Sequence, residues 1–160
     1  MANESVVEIP ETMRAAVLRD PQVGLQVETI KTPRPGFGEV LVKVSGCGLC
    51  HSDLHVIGGA IAFPLPAVLG HEVAGQIVEV GPGNEFTGLE VGQQVAGGFL
   101  MPCGRCHNCN SGHDELCEPF FELNRLKGVL YDGKTRLESL DGEPIYMYSM
   151  GGLAEYAVIP

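Results

Sequence analysis

Basic residues are scarce in this 160-residue chain: 10 Lys plus Arg stand against 20 Asp plus Glu, a formal net charge of −10. A field of that sign repels a phosphate backbone or an anionic membrane surface, which argues against nucleic-acid and membrane partners. Long apolar runs are also missing, since none approaches the ~20 residues that span a bilayer. The N-terminus, MANESVVEIPE, has neither a basic segment nor an apolar one after it, so nothing in it reads as a secretory signal and a cytoplasmic setting is expected. Tryptophan is absent and aromatics are few (4 Tyr, 6 Phe), whereas Gly (22) and Pro (11) are abundant, a balance that suggests short strands joined by turns. At this length one folding unit is expected rather than two ordinary domains.

The pattern along the chain is β. Residues 1–12 read as a polar, flexible lead. Strands are expected over 13–19, 25–31, 39–45, 72–80, 91–99 and 153–159, from alternation and β-branched content. No long helical period lies between them, which favours a barrel or sandwich over repeated βαβ units. Short helices are expected only over 50–57 and 114–117.

Six cysteines in a reducing compartment are not expected to form a disulfide framework, so their spacing matters. Cys103, Cys106, Cys109 and Cys117 form C-x2-C-x2-C-x7-C within MPCGRCHNCNSGHDELC. Two-residue gaps let thiolates turn toward one metal, and the longer arc brings in a fourth to close a tetrahedron. A ferredoxin-type cluster shares the opening but continues with three residues and Cys-Pro, so zinc is favoured. With four protein ligands such a zinc has no open position, and its role is to fold a lobe over about residues 99–121. His107 and His113 read as exposed loop residues.

A second group, Cys50 in GCGLCHSDLH (46–55) with His71 and Glu72 in LGHEVAG (69–75), joins one Cys, one His and one carboxylate beside strand ends. Alone, each segment is a weak signal. In sequence order with the four-cysteine lobe, they closely resemble the zinc-containing medium-chain alcohol dehydrogenases over residues 13–160. The resemblance implies a mainly β, GroES-like, partly open β-barrel catalytic domain with a structural zinc lobe and short helices. It implies a catalytic zinc held by Cys50 and His71, with Glu72 able to approach the metal and Asp53 orienting His71 from behind. It further implies a proton relay through Ser52 and His55, and contact between His51 and the cofactor pyrophosphate.

Each of these residues also has a plainer reading. Ser52 or Asp53 serves as a helix cap, His51 and His55 as surface residues, and Gly70 and Gly75 as bulge positions. Cys47, three before Cys50, admits a redox pair but reads better as a small packed thiol. Gly81-Pro82-Gly83 imitates the start of a dinucleotide fingerprint, yet Phe86 stands at the third glycine position and no crossover helix follows. Two departures from the family pattern are Gly92-Gln93-Gln94, where Gly-Asp-Arg is usual, and Asn84, where a small or apolar residue is usual.

Enzymes of the resembled family continue into a Rossmann domain that binds NAD or NADP and supply a third catalytic-zinc ligand; this sequence contains neither, so the 160-residue chain by itself is expected to be inactive. The implied function is the catalytic-domain part of a zinc-dependent alcohol dehydrogenase that interconverts a small alcohol and an aldehyde or ketone, with a homo-oligomeric full-length form. The rival reading is a stand-alone zinc-binding structural or interaction module.

Overall fold

The computed structural model describes residues 8–160. Of the lead expected over 1–12, residues 1–7 lie outside the described part, Ile9 packs against the core, and the first strand begins at Thr12. The elements run β1 (Thr12–Leu18), β2 (Leu25–Lys31), β3 (Val40–Gly48), α1 (His51–Ile57), β4 (Ala67–Val68), β5 (Glu72–Val80), β6 (Gln94–Ala96), α2 (His107–Asn110), β7 (Leu137–Glu138), β8 (Pro144–Met147) and β9 (Tyr156–Ile159). A 3-10 turn over Asp114–Leu116 and a π-turn over Phe120–Arg125 follow α2.

Two sheets result, one in the order β2-β1-β4-β8-β7 and one in the order β6-β5-β3-β9. In β1, Met13, Ala15 and Val17 alternate into the core, the period-2 signature of a strand with one buried face. In β5, Val73, Gly75 and Ile77 do the same. The sheets meet at an isolated bridge between Ala15 and Ala154. The two edges of the five-stranded sheet, β2 and β7, approach each other through the Lys31–Glu138 ion pair at 3.2 Å but share no ladder, so the barrel is only partly closed.

Strand β3 departs from simple alternation. Its register against β5 shifts between Leu41 and Val42 and again between Val44 and Gly46, and Val40, Leu41 and Val42 are all buried. Bulges of this kind re-aim a strand end. Here they bend the end of β3 into the loop that carries Cys50. The strand expected over 91–99 shrinks to Gln94–Ala96, because Gly92 sits at φ 96° before it and Gly97-Gly98 follows it. Residues 153–155 precede β9 without joining it, and the helix expected over 50–57 starts at His51, with Cys50 as its extended N-cap. The residues 81–84 that imitate a dinucleotide loop form a turn, in which buried Asn84 donates to the carbonyls of Glu39 (3.0 Å) and Gly81 (3.1 Å). That internal bonding accounts for a polar residue at this position.

Candidate functional site

Three side chains from two elements converge on one point. Cys50 caps α1, His71 stands just before β5, and Glu72 opens it. One ligand atom from each lies within 4.8 Å of the others. The close approach of Glu72 depends on Gly48, its cross-strand neighbour in β3: a Cβ there would overlap the Glu72 carboxylate. Gly70, at φ 97°, lets the chain turn tightly before His71, and a Cβ on it would come within 2.7 Å of Cys47 Sγ.

Asp53 is fully buried and works in three directions. Its Oδ2 accepts from the Cys50 backbone N–H at 3.0 Å, and its Oδ1 accepts from the Gly70 N–H at 3.1 Å. Oδ1 also lies 3.6 Å from His71 Nδ1, too long for a full hydrogen bond, and Nδ1 has no closer partner. A carboxylate on that side turns Nε2 toward Cys50 and Glu72, the arrangement that suits a metal-binding imidazole. Ser52 Oγ lies 3.4 Å from His71 Nε2 and makes no capping hydrogen bond. The capping role falls to Asp53.

His51 and His55 are both exposed and stack edge-on, ring centroids 4.6 Å apart. No hydrogen bond joins His55 to Ser52 among the described residues. Cys47 packs beneath the site, with Sγ 3.4 Å from the Gly48 carbonyl, and burial pushes its thiol up, away from thiolate reactivity. An open cleft of ≈ 620 Å³ leads to Cys50, Ser52, His71 and Glu72, with Phe99 on its wall.

Sequence reasoning did not single out the aromatic wall. The Phe99 ring lies 4.4 Å and the Tyr148 ring 5.9 Å from the His71 ring. No local pattern marks either residue, since both come from irregular segments beside strand ends. Arg125, which stacks on both rings, was equally unmarked.

The second group is self-contained. Cys103, Cys106, Cys109 and Cys117 bring their sulfurs within 4.8 Å of one another. The Cys106 backbone N–H donates to Cys103 Sγ at 3.3 Å, that of Cys109 to Cys106 Sγ at 3.5 Å, and that of Cys103 to Cys117 Sγ at 3.2 Å. Such N–H donors favour thiolates. The Cys109 N–H is the main reason the Cys106 thiol falls to about 7, while desolvation raises Cys109 and Cys117. Four sulfurs on one short loop fit tetrahedral zinc with no position left open. His107 and His113 are exposed and stand outside the group.

Comparison with known proteins agrees with this geometry. The alcohol dehydrogenase GroES-like domain family matches residues 36–160. An S-(hydroxymethyl)glutathione dehydrogenase of Paracoccus denitrificans is 36% identical over 149 residues, which cover 92% of this chain and 39% of that protein. A zinc-binding alcohol dehydrogenase domain protein from Burkholderia ambifaria superposes with a TM-score of 0.81 at 37% identity, covering 92% of this chain and 40% of that one. Benzyl alcohol dehydrogenase from Acinetobacter calcoaceticus does so at 0.78 and 33%, covering 94% and 39%. The chain thus spans about two fifths of the length of the relatives it matches. With the ligand groups, the partly open barrel and the family match in agreement, this chain belongs to the alcohol dehydrogenase GroES-like domain family.

Proposed function

We propose that this chain is the catalytic-domain part of a zinc-dependent dehydrogenase that interconverts a small alcohol and an aldehyde or ketone, with NAD or NADP as hydride acceptor. The observation that carries the reading is the convergence of Cys50, His71 and Glu72 ligand atoms within 4.8 Å, with Ser52 Oγ 3.4 Å from the His71 ring. One thiolate, one imidazole and one carboxylate suit a catalytic zinc better than a structural one, because three protein ligands leave a position open. When bound there, zinc supplies Lewis acidity toward an alcohol or carbonyl oxygen.

The protein's own groups do the rest. Asp53 holds the Cys50 and Gly70 backbone by hydrogen bonds and sets a buried carboxylate 3.6 Å behind the His71 ring, so one side chain places the segments that carry both ligands. Ser52 Oγ, which lines the cleft, would accept the hydroxyl proton of the alcohol as it gives up its own, and a water bridging the gap to His55, exposed one helical turn further on, would carry that proton to solvent. His51, exposed and stacked edge-on against His55, would meet the cofactor pyrophosphate. Phe99 gives the cleft an apolar wall beside the reacting centre. Residues 99–121 form the structural zinc lobe of a catalytic domain that runs from residue 13. The six free cysteines support a reducing, cytoplasmic setting, and the whole enzyme is read as a homo-oligomer.

Cobalt substitution tests the reading without requiring turnover. Cobalt at Cys50, His71 and Glu72 should give thiolate absorption that shifts when benzyl alcohol or benzaldehyde is added, and Cys50→Ala should remove the responsive component. The bands of the four-cysteine lobe should remain. A spectrum indifferent to both ligands, or unchanged by Cys50→Ala, would refute the proposal.

A further inference from the structure

We infer that His51 and His55 form a further metal site on this chain, an exposed chelate on α1 for a borderline divalent transition-metal ion such as Cu2+, Ni2+ or Zn2+. The site does not rest on the proposed function. Under that function, an ion there withdraws His55 from the relay and His51 from the cofactor, so its effect is inhibitory.

The reasoning starts from the five histidines. His71 is buried against Asp53, His113 lies with Nδ1 3.5 Å from Glu115 Oε1, and His107 opens α2. His51 and His55 differ from these. They lie four residues apart on α1, both exposed, and make the one His–His contact among the described residues, with ring centroids 4.6 Å apart. Residues at i and i+4 are neighbours on a helix face, so the backbone itself sets their spacing. Neither imidazole has a carboxylate partner among the described residues. Two neutral imidazoles side by side in solvent offer one nitrogen lone pair each to a common ion.

Distance decides whether one ion can take both. A metal bonds an imidazole nitrogen at about 2.0–2.1 Å, which puts it roughly 3 Å from the ring centroid. Two rings that share an ion therefore have centroids no more than about 6 Å apart. At 4.6 Å the two bonds meet at roughly a right angle, as adjacent positions of a square-planar or octahedral ion require. The rings now meet edge to face, at 70°, and must turn to aim their nitrogens at one point. Exposed side chains change rotamer on the ps–ns timescale, so nothing locks the present arrangement.

The helix beneath them is fixed. Val56 is buried, Asp53 accepts from the Cys50 N–H at 3.0 Å, and the Gly58 N–H donates to the Leu54 carbonyl at 2.8 Å. Only two side chains are left to order when an ion binds. Charge agrees with this, since a net −10 favours the arrival of a cation. Ligand type then selects the ion: imidazole suits copper, nickel and zinc, whereas Mg2+ and Ca2+ take oxygen ligands. Water fills the remaining positions, so the ion is held more loosely than at the four-cysteine lobe.

Ni2+ titrated into the zinc-loaded chain tests the assignment, followed by the imidazole proton resonances and by absorption. The His51 and His55 resonances should broaden together at the lowest nickel concentrations, and no nickel–thiolate absorption should accompany them. His51→Ala and His55→Ala should each weaken this first step at least about tenfold, because the second bond of a chelate is made intramolecularly. His107→Ala should leave it unchanged, and Mg2+ should move no histidine resonance. His51→Gln and His55→Gln take the place of the alanine variants should α1 fray. Broadening that reaches His113 before the pair, or a first step that survives His55→Ala, overturns the inference. So does a first step that brings thiolate absorption, which would put nickel in place of zinc at Cys50.

Discussion

Arg136 grips Glu39 across 97 residues of chain with two parallel hydrogen bonds, Nε to Oε2 at 2.8 Å and Nη2 to Oε1 at 2.6 Å. Both side chains are nearly buried, at 12% and 5% exposure. Glu39 Oε2 also accepts from the Gly36 N–H at 2.7 Å, and Arg136 reaches Asp132 at 3.0 Å. Hydrogen bonding to Glu39 is the main cause of the raised Arg136 pKa. The pair fastens the loop before β3 to the strand β7 region.

Removing one partner is the expensive change, because the other charge stays buried alone. Arg136→Met should destabilise the fold by about 3–5 kcal/mol, whereas Glu39→Met with Arg136→Met should recover much of that loss. Urea unfolding of the three proteins measures both numbers. A single-variant loss below about 1 kcal/mol would mean the pair behaves as an exposed one.

Asp53→Asn separates structure from metal affinity. The amide keeps one oxygen, so one of the Cys50 and Gly70 N–H donors loses its acceptor and meets another donor. The expected cost is about 1–3 kcal/mol for a buried unsatisfied group. The same change removes the carboxylate behind His71, and zinc affinity at Cys50, His71 and Glu72 should fall about 10–100-fold. Competitive zinc titration beside thermal melting reads the two effects. A melt shift with unchanged zinc affinity would reduce Asp53 to a helix cap.

The strands β1, β2, β3 and β5 were legible in the sequence because each is long enough to show alternation against one core. β4, β7 and β8 span two, two and four residues and exist by pairing with neighbours already in place, so no local period marks them. The π-turn was invisible for a related reason: PFFELNRL has no helical face of its own, and Asn124 fixes it by bonding to a strand end 25 residues later. The four lobe cysteines stood out because thiolate spacing is local, whereas Cys50, with His71 and Glu72 21 and 22 residues further on, stood out only through the family resemblance. Phe99, on the cleft wall, and Tyr148 and Arg125, packed behind it, come from three separate segments and carry no spacing at all.

Acid should weaken the tie between the first and last strands. The Arg14 N–H donates to Glu155 Oε2 at 2.8 Å and its guanidinium to Oε1 at 2.7 Å. These contacts, the backbone one foremost, hold the Glu155 carboxyl below the usual carboxylate range. A folded value below the unfolded one means the stabilisation is present above the unfolded pKa and is lost as pH falls through the folded value. The pair is substantially exposed, so solvent screening keeps the effect small. Glu155→Gln should therefore melt about 1–3 °C below the unaltered chain at pH 7, and the gap should close on acidification below about pH 4. A gap that persists at low pH would assign the effect to the lost backbone acceptor geometry instead of charge.

Metal removal should be ordered. All four lobe sulfurs sit within 103–117, and three of the four already face backbone N–H donors, so that site is preorganised around thiolates. Its zinc affinity should match the ~10–16 kcal/mol of closed structural sites. The Cys50, His71 and Glu72 site has one thiolate, and Glu72 is exposed to solvent, so its metal exchanges with the medium far more readily. The purified chain should carry between one and two zinc. Mild chelation should empty the Cys50 site first, with little change in the fold. Lobe zinc should leave only when the lobe opens, detected as proteolysis between Phe99 and Phe121. Cys106→Ser should lower the stoichiometry by one and produce that proteolysis without chelator. Iron and labile sulfide in place of zinc, or a chelation series in which both metals leave together, would contradict two independent sites of unequal strength.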